Sequence, residues 1–321
     1  MTLKIRILLF LAVLIFSTIG FYANAKTKNG FLLDGASIPE REILSGGPPR
    51  DGIPAINHPK FVPIEDAKFM RDKDRLLGVI INNEARAYPI KILDHHELVN
   101  DKIEDQNFVV SYCPLCGTGM VFASNVGEHN ALIFGVSGLL YNSDVLLYDL
   151  NTESLWSQIM GEAVAGKLKG SKLKQLPALH TTFANWKEKY PDSKVLSTDT
   201  GYRRNYRDSP YKGYERSKRL WFQVSHKAPP KYHPKEQVMG VEIDGMFKAY
   251  PFVELSKRNN ASFTDEVGGQ KLVVFWDEES KTAYIENEHA TVLPSTIGFW
   301  FAWYTFHPET DVFKAWLGRV I

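Results

Sequence analysis

Cysteine is almost absent: the 321 residues contain two, Cys113 and Cys116. A disulfide framework is excluded, and so is a zinc ribbon, which needs a second Cys-x-x-Cys. One bridge across so short a loop would contribute only about 2 kcal/mol in the chain-entropy model, so the pair points to sulfur chemistry more than to stapling. Net charge is also lacking. The 38 basic and 37 acidic residues nearly cancel, which argues against nucleic acid as a partner. No Gly-x-Ser-x-Gly elbow and no phosphate-cradling loop occurs, which speaks against a serine hydrolase and a P-loop enzyme. After the first two dozen residues no segment is apolar enough to cross a bilayer, and Phe299 to Phe306 is far too short.

What is present begins with a basic start carrying Lys4 and Arg6, an apolar run from Ile7 to Tyr22, and the small-x-small triplet Ala23-Asn24-Ala25. This is the build of a signal peptide cleaved after Ala25. It predicts a periplasmic or extracellular protein with no membrane span after cleavage; an uncleaved anchor is the competing reading. Cleavage would leave 296 of the 321 residues, and 36 basic residues against 37 acidic once Lys4 and Arg6 are gone. That length suffices for a large core or for two domains.

Residues 26–63 are punctuated by glycine and proline, most densely from Ser45 to Pro54, and read as an ordered but irregular arm. An internal repeat follows. Leu77-Gly-Val-Ile-Ile-Asn-Asn-Glu-Ala-Arg-Ala-Tyr-Pro-Ile90 aligns with Met239-Gly-Val-Glu-Ile-Asp-Gly-Met-Phe-Lys-Ala-Tyr-Pro-Phe252. Each copy reads as strand, tight turn, strand. Two further blocks keep the order: residues 100–110 against 264–274, and Trp186 to Asp192 against Trp303 to Glu309. The second copy is shorter, and Trp276-Asp277 stands where the first has Tyr112-Cys113. The expected organisation is a first repeat over 64–197, an Arg/Tyr-rich connector over 198–237, and an abbreviated second repeat over 238–321.

Short apolar runs between turns dominate, such as Phe108 to Cys113, Met120 to Ala123, Ala131 to Val136, Leu139 to Asp149 and Lys271 to Trp276. Helices are few. Pro89 at a first helical position predicts a helix over Pro89 to Val99. Thr182 can cap a helix from Phe183 to Lys189, which stops before Pro191, and Phe299 to Phe306 is its counterpart. The fold class is α+β, strand-rich, built from two tandem related repeats.

Three readings compete for Cys113-Pro-Leu-Cys-Gly117. As a metal knuckle between strands, the turn aims both sulfurs at one point and needs one or two further ligands. His96 is favoured over His95, because adjacent helical residues diverge by about 100°; Met120 offers a soft thioether. Two thiolates and an imidazole suit copper or zinc better than calcium or magnesium. As a thiol–disulfide oxidoreductase, the motif lacks the helix N-terminus that lowers a redox cysteine's pKa. As a plain structural disulfide, it would be inert.

Other constellations are weaker. Asn142-Ser143-Asp144 interrupts an apolar strand, the mark of a bulge, a turn or a site; with Tyr141, Trp156 and Gln158 it defines an expected ligand pocket. Arg203, Arg204 and Arg207, set among tyrosines, could bind a small anionic or sugar ligand through forked contacts and stacking, or form a solvated connector with its rings packed down.

Together Gly47 to Ala55, Ala87-Tyr-Pro-Ile90, His96 to Asp101, Tyr112 to Gly117, Gly135 to Asp144, Glu153 to Gln158, Thr200-Gly-Tyr202 and Pro210-Tyr-Lys-Gly-Tyr214 resemble the bacterial exported family named domain of unknown function 3179. The resemblance covers nearly the whole chain after residue 25. It implies that His96, not His95, is the family-pattern histidine, and it supplies no activity. The leading expectation is an exported metal-binding protein with a Cys113, Cys116, His96 site for one copper or zinc ion, in metal handling or a metal-dependent reaction.

Overall fold

The computed structural model describes residues 27–129, 131–258 and 262–315. The expected signal peptide lies outside the described residues. The arm contributes short strands: β1 (Thr27–Lys28), β2 (Phe31–Leu32), β3 (Ile43–Ser45) and β4 (Phe61–Pro63). The next stretch is denser: β5 (Arg75–Ile81), β6 (Glu84–Pro89), α1 (Ile90–His96), β7 (Leu98–Ile103), β8 (Gln106–Cys113) and β9 (Thr118–Ala123). An insert follows, with β10 (Phe134–Tyr141), β11 (Asp144–Asp149), β12 (Leu155–Ser157), β13 (Glu162–Ala165) and β14 (Gln175–Leu176). Then come β15 (Leu179–Thr182), α2 (Phe183–Lys189) and β16 (Lys194–Leu196).

The C-terminal half holds β17 (Gln237–Ile243), β18 (Met246–Pro251), α3 (Phe252–Leu255), β19 (Ser262–Val267) and β20 (Gln270–Asp277). It ends with β21 (Thr282–Asn287), β22 (Val292–Leu293), β23 (Thr296–Phe299), α4 (Trp300–Phe306) and β24 (Asp311–Val312). The protein is strand-rich with few helices, as an α+β class requires.

The helices obey their sequence signals with one correction. Thr182 Oγ1 accepts from the Asn185 amide at 3.4 Å and caps α2. The helix expected over Pro89 to Val99 is shorter: Pro89 is its N-cap, and it ends at His96 because Glu97 turns left-handed, φ 58°. Leu98 then begins β7. The apolar run Leu139 to Asp149 is likewise not one strand. Asn142 (φ 52°) and Ser143 (φ 69°) form a two-residue turn, with Tyr141 paired to Asp144 across a hairpin.

A long sheet runs in the order β24-β18-β17-β23-β9-β8-β7, with β14 also on β9. Its join lies between β23 and β9, where Ile297 pairs with Gly119. The insert forms a second sheet, β13-β12-β11-β10-β3, so arm residues 43–45 become its edge strand. Two further sheets are β15-β5-β6-β16-β4 and β19-β20-β21-β22.

Similar local geometry occurs in both halves. On β5, a Cβ at Gly78 would lie 2.0 Å from the indole of Trp186 on α2; on β17, one at Gly240 would lie 2.1 Å from the indole of Trp303 on α4. Trp186 Nε1 donates to Ser193 Oγ and Trp303 Nε1 to Thr310 Oγ1, each at 2.9 Å. Arg86 and Tyr88 both bond Asp101, as Lys248 and Tyr250 both bond Asp265. The final strand of each half, β16 or β24, runs parallel to β6 or β18.

The apolar core is divided among the sheets. Its largest cluster lies between the long sheet and the insert, and contains Cys113, Cys116, Met120, Phe134, Leu147 and Trp156.

Candidate metal centre

β8 and β9 are antiparallel neighbours that close on the cysteine loop, with Cys113 paired to Thr118. The Cys116 amide bonds the Cys113 carbonyl at 3.2 Å. Gly117 follows with φ 62°, and its bare Cα faces the Phe299 ring, whose atoms would stand 3.0 Å from a Cβ there. The loop is a turn leading into a strand, so no helix N-terminus activates either thiol.

The β10–β11 hairpin supplies the opposite wall. Its turn points the Ser143 carbonyl at the sulfurs, 3.3 Å from Cys116 Sγ and 3.8 Å from Cys113 Sγ. Asp144, first residue of β11, completes the group: Cys113 Sγ, Cys116 Sγ and an Asp144 carboxylate oxygen all lie within 4.8 Å of one another. All three residues are buried, and neither cysteine is in a disulfide. The cluster is compatible with metal binding.

Its polar inventory is incomplete. Asp144 Oδ2 accepts from the Ile159 amide at 3.1 Å. Asp144 Oδ1, Ser143 Oγ and the Tyr214 hydroxyl are buried without a well-formed hydrogen bond among the described residues, although Tyr214 stands beside Ser143 and Asp144 beside both thiols. Buried polar atoms are nearly always satisfied, so three such atoms around one group of donors mark a place where a further partner belongs.

Electrostatics agree. Burial pushes Asp144 up to about 7, although amide bonds and the neighbouring thiols favour its ionised form. Burial likewise raises both thiols, with the Asp144 carboxylate adding to the effect. Glu97, at the end of α1, is raised to about 8, first by burial and then by the charges of Asp144 and Asp94. A site that makes several acids hard to ionise is one that a cation would relieve.

The histidines expected as ligands lie outside this group. His96 is fully buried but does not join the two cysteines. Its Nδ1 lies 2.8 Å from the Pro54 carbonyl and its Nε2 2.7 Å from the Tyr206 hydroxyl. A carbonyl only accepts, so Nδ1 carries the proton and Nε2 accepts from Tyr206. Both ring nitrogens are used in tying α1 to the arm and the connector. His95 is also outside the group, with Nε2 3.1 Å from the Asp208 carbonyl. Met120 is buried in the same apolar cluster as the cysteines.

The expected pocket residues divide. Asp144 moves from the wall into the ligand group. Asn142 Oδ1 accepts from the Ser225 amide at 2.7 Å, and Tyr141 packs edge-on to Phe306. Trp156 is a core residue whose Nε1 donates to Asp149 Oδ2 at 2.9 Å. Gln158 accepts from Thr118 Oγ1 at 2.7 Å and donates to Ser111 Oγ at 2.9 Å, bracing the strands below the loop. Arg203, Arg204 and Arg207 are exposed.

Sequence reasoning missed the cover. The connector wraps the end of α1: Tyr206 bonds His96, Asp208 bonds His95, and the Tyr211 hydroxyl donates to Glu97 Oε1 at 3.4 Å. Tyr214 is buried, and Lys235 Nζ sits 3.5 Å from its ring centroid while donating to the Ser217 and Arg219 carbonyls. The close spacing of Tyr206, Tyr211 and Tyr214 was the available signal.

A family model described as protein of unknown function, DUF3179, matches residues 50–293. The chain belongs to this family. The matched span takes in both cysteines, Asp144, Glu97 and the covering connector. No curated protein and no solved structure matches. The family carries no assigned activity, so the chemistry must be read from the site.

Proposed function

We propose that the chain is an exported protein that binds one zinc ion through Cys113 Sγ, Cys116 Sγ and the Asp144 carboxylate. The observation that carries this reading is the convergence of the three donors within 4.8 Å, buried and beside polar atoms that lack a well-formed hydrogen bond. Two thiolates with one carboxylate suit a borderline ion. Copper(I) prefers an all-soft set and calcium an all-oxygen one. Three protein ligands leave a fourth tetrahedral position for water or a bound molecule. Ligation requires deprotonated sulfurs, so uptake releases protons.

Thiol–disulfide exchange has less support, because both thiols are buried and their pKa values are raised. The export reading rests on the first 25 residues.

The matching glycine–tryptophan, cation–tyrosine–aspartate and parallel-strand features support a tandem duplication. On that reading the loop Asp277 to Thr282 corresponds to Cys113 to Thr118. It is closed by Ser280, whose amide and hydroxyl both donate to Asp277 Oδ1, so only the first copy keeps a sulfur site.

The test is elemental analysis of untagged protein purified without chelators, followed by zinc titration of the stripped protein. One equivalent of tightly held zinc is expected. A reduced, folded protein that takes up no zinc, copper or other transition ion defeats the proposal.

A further inference from the structure

The second half of the connector builds a cleft that the metal centre does not use. It encloses about 980 Å³ and is lined by Leu220, Phe222, Val224 and the Ala228-Pro229-Pro230 segment, with the almost fully buried Trp300 and Phe301 of α4 beneath. This lies in the range of small-molecule sites. Neither cysteine nor Asp144 lines it, although Phe301 belongs to the apolar cluster around the cysteines and Leu220, Phe222, Val224 and Ala228 pack against that cluster from the cleft side.

The polar lining has one sign. Lys218, Lys227 and Lys231 stand at the cleft with His233, and no carboxylate lines it. None of the three lysines has an ion-pair partner among the described residues; Lys231 Nζ lies over the Tyr232 ring, 5.2 Å from its centroid. By contrast Lys235, one turn further on, is consumed by backbone carbonyls. The polar atoms of the aromatic walls are already engaged: Trp300 Nε1 donates to the Pro229 carbonyl and the Tyr232 hydroxyl to Glu254. The apolar surface comes from the half-buried Leu220, Phe222 and Val224, and beside the Gln223 amide and the His233 ring the open polar groups of the cleft are its three lysines.

We infer that this cleft binds an amphipathic carboxylate, an acyl chain lying against Leu220, Phe222 and Val224 with its carboxylate held by the lysines at the mouth. The apolar lining suits an apolar body and the unpaired ammonium groups suit a single anionic head; a sugar would find only the Gln223 amide and the His233 ring as open neutral partners on these walls.

Dodecanoate is titrated into the full chain by calorimetry, below its micelle concentration, with dodecanol and dodecyltrimethylammonium as controls. One saturable site for dodecanoate is expected, with affinity at least tenfold weaker for either control. The triple variant Lys218→Gln, Lys227→Gln, Lys231→Gln changes exposed side chains only and should weaken dodecanoate at least tenfold. Ala228→Trp keeps every charge but fills the cleft, and should abolish binding. Equal binding of the uncharged alcohol, unaltered affinity in both variants, or no saturable binding would overturn the inference. Retention on phosphatidylglycerol vesicles that dodecanoate does not displace would also overturn it, in favour of a membrane surface.

Discussion

Gly78 lies beneath the indole of Trp186 so closely that a methyl group in place of its hydrogen would sit 2.0 Å from a ring carbon. Gly240 and Trp303 repeat the arrangement at 2.1 Å. The obstacle in both cases is a buried indole whose Nε1 is already hydrogen-bonded, so it has little freedom to move. Gly78→Ala and Gly240→Ala should each cost about 1–3 kcal/mol by overpacking. Urea denaturation measures the loss; a midpoint equal to wild type in either variant would mean the indole can swing aside.

Substitutions at the metal centre should separate the two histidine-or-aspartate ligand sets. Asp144→Asn and Cys113→Ser should weaken zinc by more than the roughly 10–100-fold typical of a change outside the ligands themselves. His96→Ala should keep one equivalent of zinc but lose stability, because it leaves the Pro54 carbonyl short of a partner and the half-buried Tyr206 hydroxyl with Thr200 Oγ1 alone. Zinc lost in His96→Ala and retained in Asp144→Asn would restore the imidazole to the site.

Thiol reactivity gives an independent check. Burial raises the pKa of both cysteines, so the reduced, metal-free native protein should react with Ellman's reagent at pH 7 far more slowly than the unfolded chain. Rapid modification of two thiols in the folded state would point to exchange chemistry.

The differing fates of His96 and Asp144 show how far sequence could reach. The knuckle between strands, the capped helix at Phe183 and the strand-rich class follow from local rules of turn, cap and alternation. Asp144 carried a signal, as a polar residue inside an apolar run. Its side chain reaches the sulfurs only because Asn142 and Ser143 both turn left-handed and fold the run back on itself. His96 looked plausible from helix periodicity. Pro54 and Tyr206, remote in sequence on either side, take its nitrogens. The connector's role was least legible. It has almost no regular structure, and its order comes from side chains such as Tyr206 and Tyr211 meeting groups far along the chain and from Lys235 bonding carbonyls within the connector.

Acid sensitivity should arise partly at His180. This ring is buried on β15, bonded through Nε2 to the Gly119 carbonyl, and lowered to about 3 by burial and by the nearby Arg75 charge. The unfolded chain protonates it near 6.5. Between pH 6.5 and 3 the unfolded state therefore holds more protons, and stability falls as pH falls through that window. Relative to a His180→Gln variant, wild type should lose about 1.4 kcal/mol per pH unit there. Parallel urea-midpoint curves for the two proteins from pH 7 to pH 4 would contradict this.

The bond from the Phe299 amide to the Cys116 carbonyl, at 2.7 Å, ties the sulfur loop to a residue almost two hundred positions later. Beside it, β23 pairs with β9 at Gly119, next to the stretch at Val121 and Phe122 that β14 covers. A fragment ending before residue 237 would thus contain every proposed donor yet lack the strand that steadies their loop. Expressed alone, that N-terminal piece should leave the Gly119 end of β9 open to pairing with another chain, and the cysteine pair cannot be transplanted as an autonomous module.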